Sequence, residues 1–179
     1  MKTILQSLRI YLVLTLITGI IYPLAIYGFA QLAFPKQANG SRIVVEGKLI
    51  GSELLAQKFV SPAYFWSRPS GADFATVPSG ASNKGPTSRD LKNAIEERRK
   101  QFGADAPVDL LTASGSGVDP HISPEAARMQ IPRIAAARKM PDDKISALVE
   151  QAIEQPQLGF LGEPRVNVLL LNRTLDELR

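Results

Sequence analysis

The stretch Ile10–Phe34, IYLVLTLITGIIYPLAIYGFAQLAF, decides how the rest of the chain is read. Its 25 residues include no Asp, Glu, Lys, Arg or His. As an α-helix rising about 1.5 Å per residue it covers roughly 37 Å. That exceeds the roughly 30 Å hydrocarbon core of a bilayer and leaves slack for tilt or for a kink at Pro23. A helix in a soluble core seldom runs so far without a charge, so the stretch reads as a single transmembrane helix. A cleaved secretory signal fits less well. Its apolar region spans about 7–15 residues and ends at small residues, whereas bulky Phe34 and Pro35 close this one.

The span has a distinctive face. Thr15 and Gly19 lie four apart with Thr18 beside them, so one side is small and lets another backbone approach closely. Pro23 leaves a carbonyl near Gly19 without its helical donor, for a neighbouring helix or a threonine hydroxyl to satisfy. Thr15, Thr18, Gly19 and Pro23 are therefore the expected contacts to a partner helix.

Working outward, residues 1–9 form a short N-terminal flank and Pro35–Ser41 (PKQANGS) a polar hinge. Residues 42–179 suffice for one domain with a modest core. The sequence pI of about 9.5 invites a nucleic-acid reading until the charge is divided. Removing Lys2 and Arg9 from the 21 basic residues leaves 19 against 17 acidic ones. That is a mixed solvated surface, and no nucleic-acid partner is expected. Cysteine is absent, which excludes disulfides and thiolate metal sites. With one histidine, a metal site would need a carboxylate cage whose spacing is not seen.

Past the hinge, Ile43–Val45 and Lys48–Ile50 read as two strands around a Glu46-Gly47 turn. Val60–Pro86 is dense in Pro, Gly and Ser but carries Tyr64, Phe65, Trp66 and Phe74, so an irregular segment pinned by its rings is expected rather than a linker. Thr87 or Ser88 caps a helix that Gly103 ends, and Pro107–Leu111 (PVDLL) reads as a buried strand. Ser123 and Pro124 start a helix that Pro132 should kink or split. Another helix begins at Pro141-Asp142-Asp143, with Ile145, Leu148, Val149 and Ala152 on its apolar face. Arg165–Leu171 (RVNVLLL) reads as the strongest strand, followed by a short helix capped by Asn172. The fold class is mixed α/β: one N-terminal transmembrane helix and one small α+β domain with a partly antiparallel sheet.

Two glycine-rich pieces resemble phosphate loops and fail as such. Gly80–Thr87 (GASNKGPT) has Pro86 where a P-loop needs lysine, and SGSGVD at Ser114–Asp119 has Pro120 at the third glycine position. Tight turns are the simpler reading. A hydrolase could be built from Ser114 or Ser116 with His121 and Asp119 or Asp109, but no G-x-S-x-G elbow surrounds either serine. His121 reads as a hydrogen-bonded turn residue. Trp66, Tyr64 and Phe65 beside Arg68 could form a cation–π or base-stacking surface, with anchoring of the irregular segment as the plainer role.

The stretches ITGIIYPL, FPKQANGS, GSELLAQKF, YFWSRPS, SGASNKGP, VDLLTASGSGVDPHISPEAA, QIPRIAAAR and LGEPRVNVLLLN occur in this order. Together they make the chain resemble, over nearly its whole length, the C subunit of the Kdp potassium-transporting ATPases of bacterial and archaeal inner membranes. Ser67, Gly71 and Ala81 depart from the usual family residues at turns. The resemblance implies a non-catalytic accessory and assembly subunit. Its partners would be a large channel-like potassium-translocating subunit, a P-type ATPase subunit and a small single-helix subunit. It also implies a chaperone role that raises the ATPase subunit's affinity for ATP, with no cofactor held firmly by this chain.

Lys2, Arg9 and the α-amino group precede the span, while Lys36, Arg42 and Lys48 follow it. Long C-terminal domains translocate largely regardless of charge and the first helix's N-terminal charges usually dominate. The N-terminus is accordingly expected in the cytoplasm and the domain outside. Were the domain cytoplasmic instead, Ser114, Gly115, Ser116, Gly117 and Gln130 would be the candidates for contact with nucleotide.

Overall fold

The computed structural model describes residues 2–178. The chain divides into two compact units, residues 1–50 and 51–179.

The first unit is built on the apolar stretch. Helix α1 (Lys2–Leu16) passes through a π-helical turn at Ile17–Ile21 into α2 (Tyr22–Ala33). The continuous helix Lys2–Ala33 has 32 residues, with a most apolar window of mean hydropathy 2.0 in which this chain buries no side chain. Length and composition suit it to cross a membrane. The π turn has an identifiable cause. Pro23 has no N–H, and its ring would meet the carbonyl four residues back. Widening the turn relieves this, and the Tyr22 N–H donates to the Ile17 carbonyl, five residues back. The hinge is less open than its composition suggests: Pro35–Ala38 forms a single helical turn, α3. The Ser41 N–H donates to the Lys36 carbonyl (2.9 Å), and the Asn39 amide to the Gln31 side chain (3.1 Å). Strands β1 (Arg42–Val45) and β2 (Lys48–Ser52) pair as a hairpin. Glu46 and Gly47 both take positive φ, 50° and 77°, as a two-residue I′ turn requires.

The second unit holds α4 (Arg89–Phe102), α5 (Val108–Leu111), β3 (His121–Ile122), α6 (Pro124–Arg138), α7 (Asp142–Gln151), β4 (Ile153–Glu154), β5 (Arg165–Asn167) and α8 (Val168–Glu177). A small antiparallel sheet runs in the order β3-β5-β4, with Ile122 and Ile153 both opposite Val166. The core joins Phe65, Leu110, Ile122, Ile134, Ile145, Val149, Val166, Val168, Leu171 and Leu175. The Ser88 and Ser123 hydroxyls accept from the Leu91 and Ala126 N–H groups as N-caps, and Gly103 ends α4.

Three expectations are corrected. PVDLL is not a strand; it makes the helical turn α5, which buries the adjacent Leu110 and Leu111. A strand would send neighbouring side chains to opposite faces. RVNVLLL is a strand only for Arg165–Asn167. The Asn167 side chain then accepts from the Leu170 N–H (3.2 Å) and starts α8, so Asn167 rather than Asn172 is the cap. Pro132 does not split α6, which is unbroken through it. Pro132 and Arg128, whose carbonyl loses its helical donor, are both exposed, so water can take the donor's place, while Ile131 and Ile134 hold the buried face.

Candidate functional site

Both glycine-rich pieces meet in one place. Gly117 has φ +74°, and a Cβ added there would lie 2.7 Å from the Gly80 carbonyl oxygen and 3.3 Å from the Gly80 nitrogen. The two loops therefore touch backbone to backbone, which glycine alone permits. The Ser70 hydroxyl donates to the Gly117 carbonyl (2.6 Å), and the Ser114 N–H donates to the Pro69 carbonyl (3.0 Å). What looked like phosphate cradles are the contact surfaces of two turns.

The serine hydroxyls are used in the same way. Ser114 is buried and accepts from the Gly117 N–H (3.0 Å), and Ser116 accepts from the Val118 N–H (3.2 Å). Asp109 accepts from the Ser123 N–H (2.7 Å) and hydroxyl (3.2 Å), extending the α6 cap. His121 faces Asp119, with its Nδ1 3.7 Å from a carboxylate oxygen. Hydrolysis needs a nucleophile hydrogen-bonded to its base. Among the described residues neither serine is bonded to His121, so the hydrolase alternative finds no support.

Gln130 is 2% exposed, with every polar atom engaged. Its Oε1 accepts from the Trp66 N–H (2.8 Å) and from Arg133 (2.7 Å). Its Nε2 donates to the carbonyls of Trp66 and Ala126, both at 3.2 Å. Gly115 and Ser116, by contrast, are exposed. On α8, Asn172 does for Phe65 what Gln130 does for Trp66, accepting from its N–H (2.8 Å) and donating to its carbonyl (2.9 Å). Arg133 donates to the carbonyls of Pro62 and Tyr64, and Arg138 to that of Ala63. The irregular segment is thus laid on α6 and α8 with its backbone groups taken one by one. Its cation–π partners are also from α6: Arg133 lies 3.7 Å from the Trp66 ring centroid and Arg138 4.9 Å from that of Tyr64. Arg68 instead pairs with Asp119 at 3.0 Å. Burial pushes the Arg133 guanidinium down to about 10, still charged at neutral pH. The sequence reading missed Arg133, Arg138 and Asn172. The i, i+3, i+8 spacing of Gln130, Arg133 and Arg138 along one side of α6 was the available signal.

Beside this clamp an open cleft of about 670 Å³ gathers the remaining motif residues: Arg68, Asp109, Asp119, His121, Glu163 and Arg165 line it. Burial raises the Asp119 carboxyl, but the His121 side chain and backbone N–H, with the Arg68 charge, outweigh it and hold Asp119 below the usual carboxylate range. Arg165 is paired with Glu154 (2.9 Å). No metal-holding cluster of His, Cys, Asp or Glu occurs among the described residues.

In the apolar helix, Gly19 lies within the π turn and has open space where a Cβ would stand. The Thr18 hydroxyl donates to the Leu14 carbonyl (2.8 Å). Thr15, Gly19 and Pro23 are exposed along this helix.

The chain thus joins one helix long and apolar enough to cross a membrane to an α/β domain whose motif residues hold loops in place. The family model described as KdpC, the c chain of K+-transporting ATPase, matches residues 4–177. The chain is 49% identical over 176 residues to a potassium-transporting ATPase KdpC subunit of Leptospira interrogans, covering 95% of this chain and 91% of the relative. It is 51% identical to that of Gemmatimonas aurantiaca (97% and 94% covered) and 48% identical to that of Polaromonas naphthalenivorans (100% and 97% covered). The chain belongs to the KdpC family.

Proposed function

We propose that this chain is a non-catalytic accessory and assembly subunit of an ATP-driven potassium importer in the bacterial inner membrane. Its helix packs on the channel-like and P-type ATPase subunits, with a small single-helix subunit completing the complex. Membership of the KdpC family over nearly the full length, together with one helix apolar enough to span the bilayer, supports this reading most strongly. Close packing along Thr15 and Gly19, opened at Pro23, is the proposed seam. Affinity purification of the full chain from its own membranes in mild detergent should bring the larger subunits with it. Gly19→Leu favours insertion but fills the seam, so it should insert normally and retain about tenfold less of the partners. Unchanged retention would place that face in lipid.

The chain also raises the ATPase subunit's affinity for ATP. The N-terminus is cytoplasmic and the domain extracytoplasmic in this reading, so the effect travels through the membrane helices and the domain holds no nucleotide of its own. Protease added to intact spheroplasts should cut the domain, with the loops of residues 75–86, exposed and rich in Gly and Pro, as the first site. Cleavage seen only after the membrane is opened would reverse the orientation and reopen Ser114–Gly117 as a nucleotide contact.

A further inference from the structure

Between β4 and β5 the chain makes a tight turn that carries its apolar side chains outward. Leu158 is 83% exposed and Phe160 73%, with Leu161 half exposed beside them. The turn is nonetheless tied by four backbone hydrogen bonds. The N–H groups of Gln157 and Leu161 donate to each other's carbonyls (3.0 and 2.9 Å). Gly159 donates to the Pro156 carbonyl (3.0 Å) and Phe160 to that of Gln157 (3.3 Å). Leu158 holds φ +55°, a conformation in which a bulky residue is strained and Gly or Asn is the usual choice. A leucine here makes the turn worse and its tip more apolar. That combination suits a knob built for contact: rigid before binding, so little order is lost on docking.

Charge decides what the knob meets. From Ile153 to Pro164 the chain carries Glu154 and Glu163 and no lysine or arginine. Arg165, the nearest cation in sequence, pairs with Glu154, so those two charges offset each other and Glu163 sets the sign of the segment. Segments that dip into a membrane surface carry basic residues toward anionic headgroups, and this one would bring the carboxylate of Glu163 there with no cation beside it. We propose that the Leu158–Phe160–Leu161 knob docks into an apolar socket, with a neutral or basic rim, on an extramembrane surface of another protein subunit. This rests on the reading of the chain as a subunit of a larger complex, and it adds a second contact beyond the membrane helix. The knob is a central anchor rather than a whole interface.

The test uses the full chain in its native membranes, with a benzophenone amino acid in place of Phe160. Irradiation should give an adduct of this chain with one larger subunit of the same complex, its attachment point mapped by mass spectrometry to an extramembrane loop. Adducts with lipid, or none, overturn the proposal. Leu158→Gly provides an independent readout, because it relieves the strained backbone while removing the side chain. The full chain in detergent should then melt at the same or a higher temperature, yet retain about tenfold less of the partner. Unchanged retention overturns the proposal, as does a retention loss accompanied by a lower melting temperature. A wild-type chain that purifies alone sinks the subunit reading and the docking proposal with it, whereas equal retention by wild type and variant sinks only the docking.

Discussion

Gln130→Leu should destabilise the second unit by about 3 kcal/mol, because it strands several half-buried polar groups at once. Leucine fills a similar volume, so cavity formation contributes little. What is lost is the acceptor for the Trp66 N–H, the donor to its carbonyl and one partner of the Arg133 guanidinium. Each buried group left without a partner costs about 1–3 kcal/mol. Asn172→Leu should do similar damage, since it abandons the N–H and carbonyl of Phe65 in the same fashion. Because the two clamps hold adjacent residues of one segment, the double variant should lose less than the sum of the single losses. Urea unfolding of the full chain in detergent measures all three, and a Gln130→Leu loss under about 1 kcal/mol would show that water takes the amide's place.

Gly117→Ala should cost about 2–4 kcal/mol, from a strained left-handed backbone and a methyl forced against the Gly80 backbone. Neither the Gly80 oxygen at 2.7 Å nor its nitrogen at 3.3 Å belongs to a side chain that could swing away. Gly115→Ala is the matched control. It sits two residues earlier in the same glycine-rich run, meets nothing within 4 Å, and should be within about 0.5 kcal/mol of wild type. A phosphate cradle would show the reverse order, since the exposed Gly115 backbone would face the ligand. Equal effects of the two substitutions on melting would remove close packing as the explanation.

Local rules were enough where the deciding groups lie within four residues of each other. Ser88 and Ser123 could be read as caps because a cap bonds to its own first turn. The hairpin turn at Glu46-Gly47 and the stop at Gly103 were legible for the same reason. PVDLL and RVNVLLL went astray because a short apolar run has no period to choose between strand and helix. In the second, one asparagine side chain changes the period in mid-run. Trp66 and Phe65 were recognised as anchors from their size alone. The side chains that hold their backbones, Gln130 and Asn172, lie 64 and 107 residues away in sequence. No window along the chain contains such a pairing. The family resemblance supplied the functional class, while the knob at Leu158 and Phe160 has no periodicity or motif that marks it in the sequence.

The widened turn at Ile17–Ile21 changes which residues of the apolar helix look the same way. On a wheel of uniform pitch, Gly28 falls about 180° from Gly19. A π turn absorbs one extra residue, and the angle closes to about 80°. Counted in the same way, Tyr27 comes to within about 20° of Gly19 and Leu24 to within about 40°, so the side of the helix that carries Thr15 and Gly19 continues onto Tyr27 with Pro23 and Leu24 flanking it. Two wheels, one on each side of Ile21 and offset by a residue, describe this helix where a single wheel would mislead. Deleting one residue from ITGII would restore a single phase and leave everything from Tyr22 onward facing as it does now, whereas straightening the turn with all five residues kept would rotate that half by about 100° against whatever the first half touches.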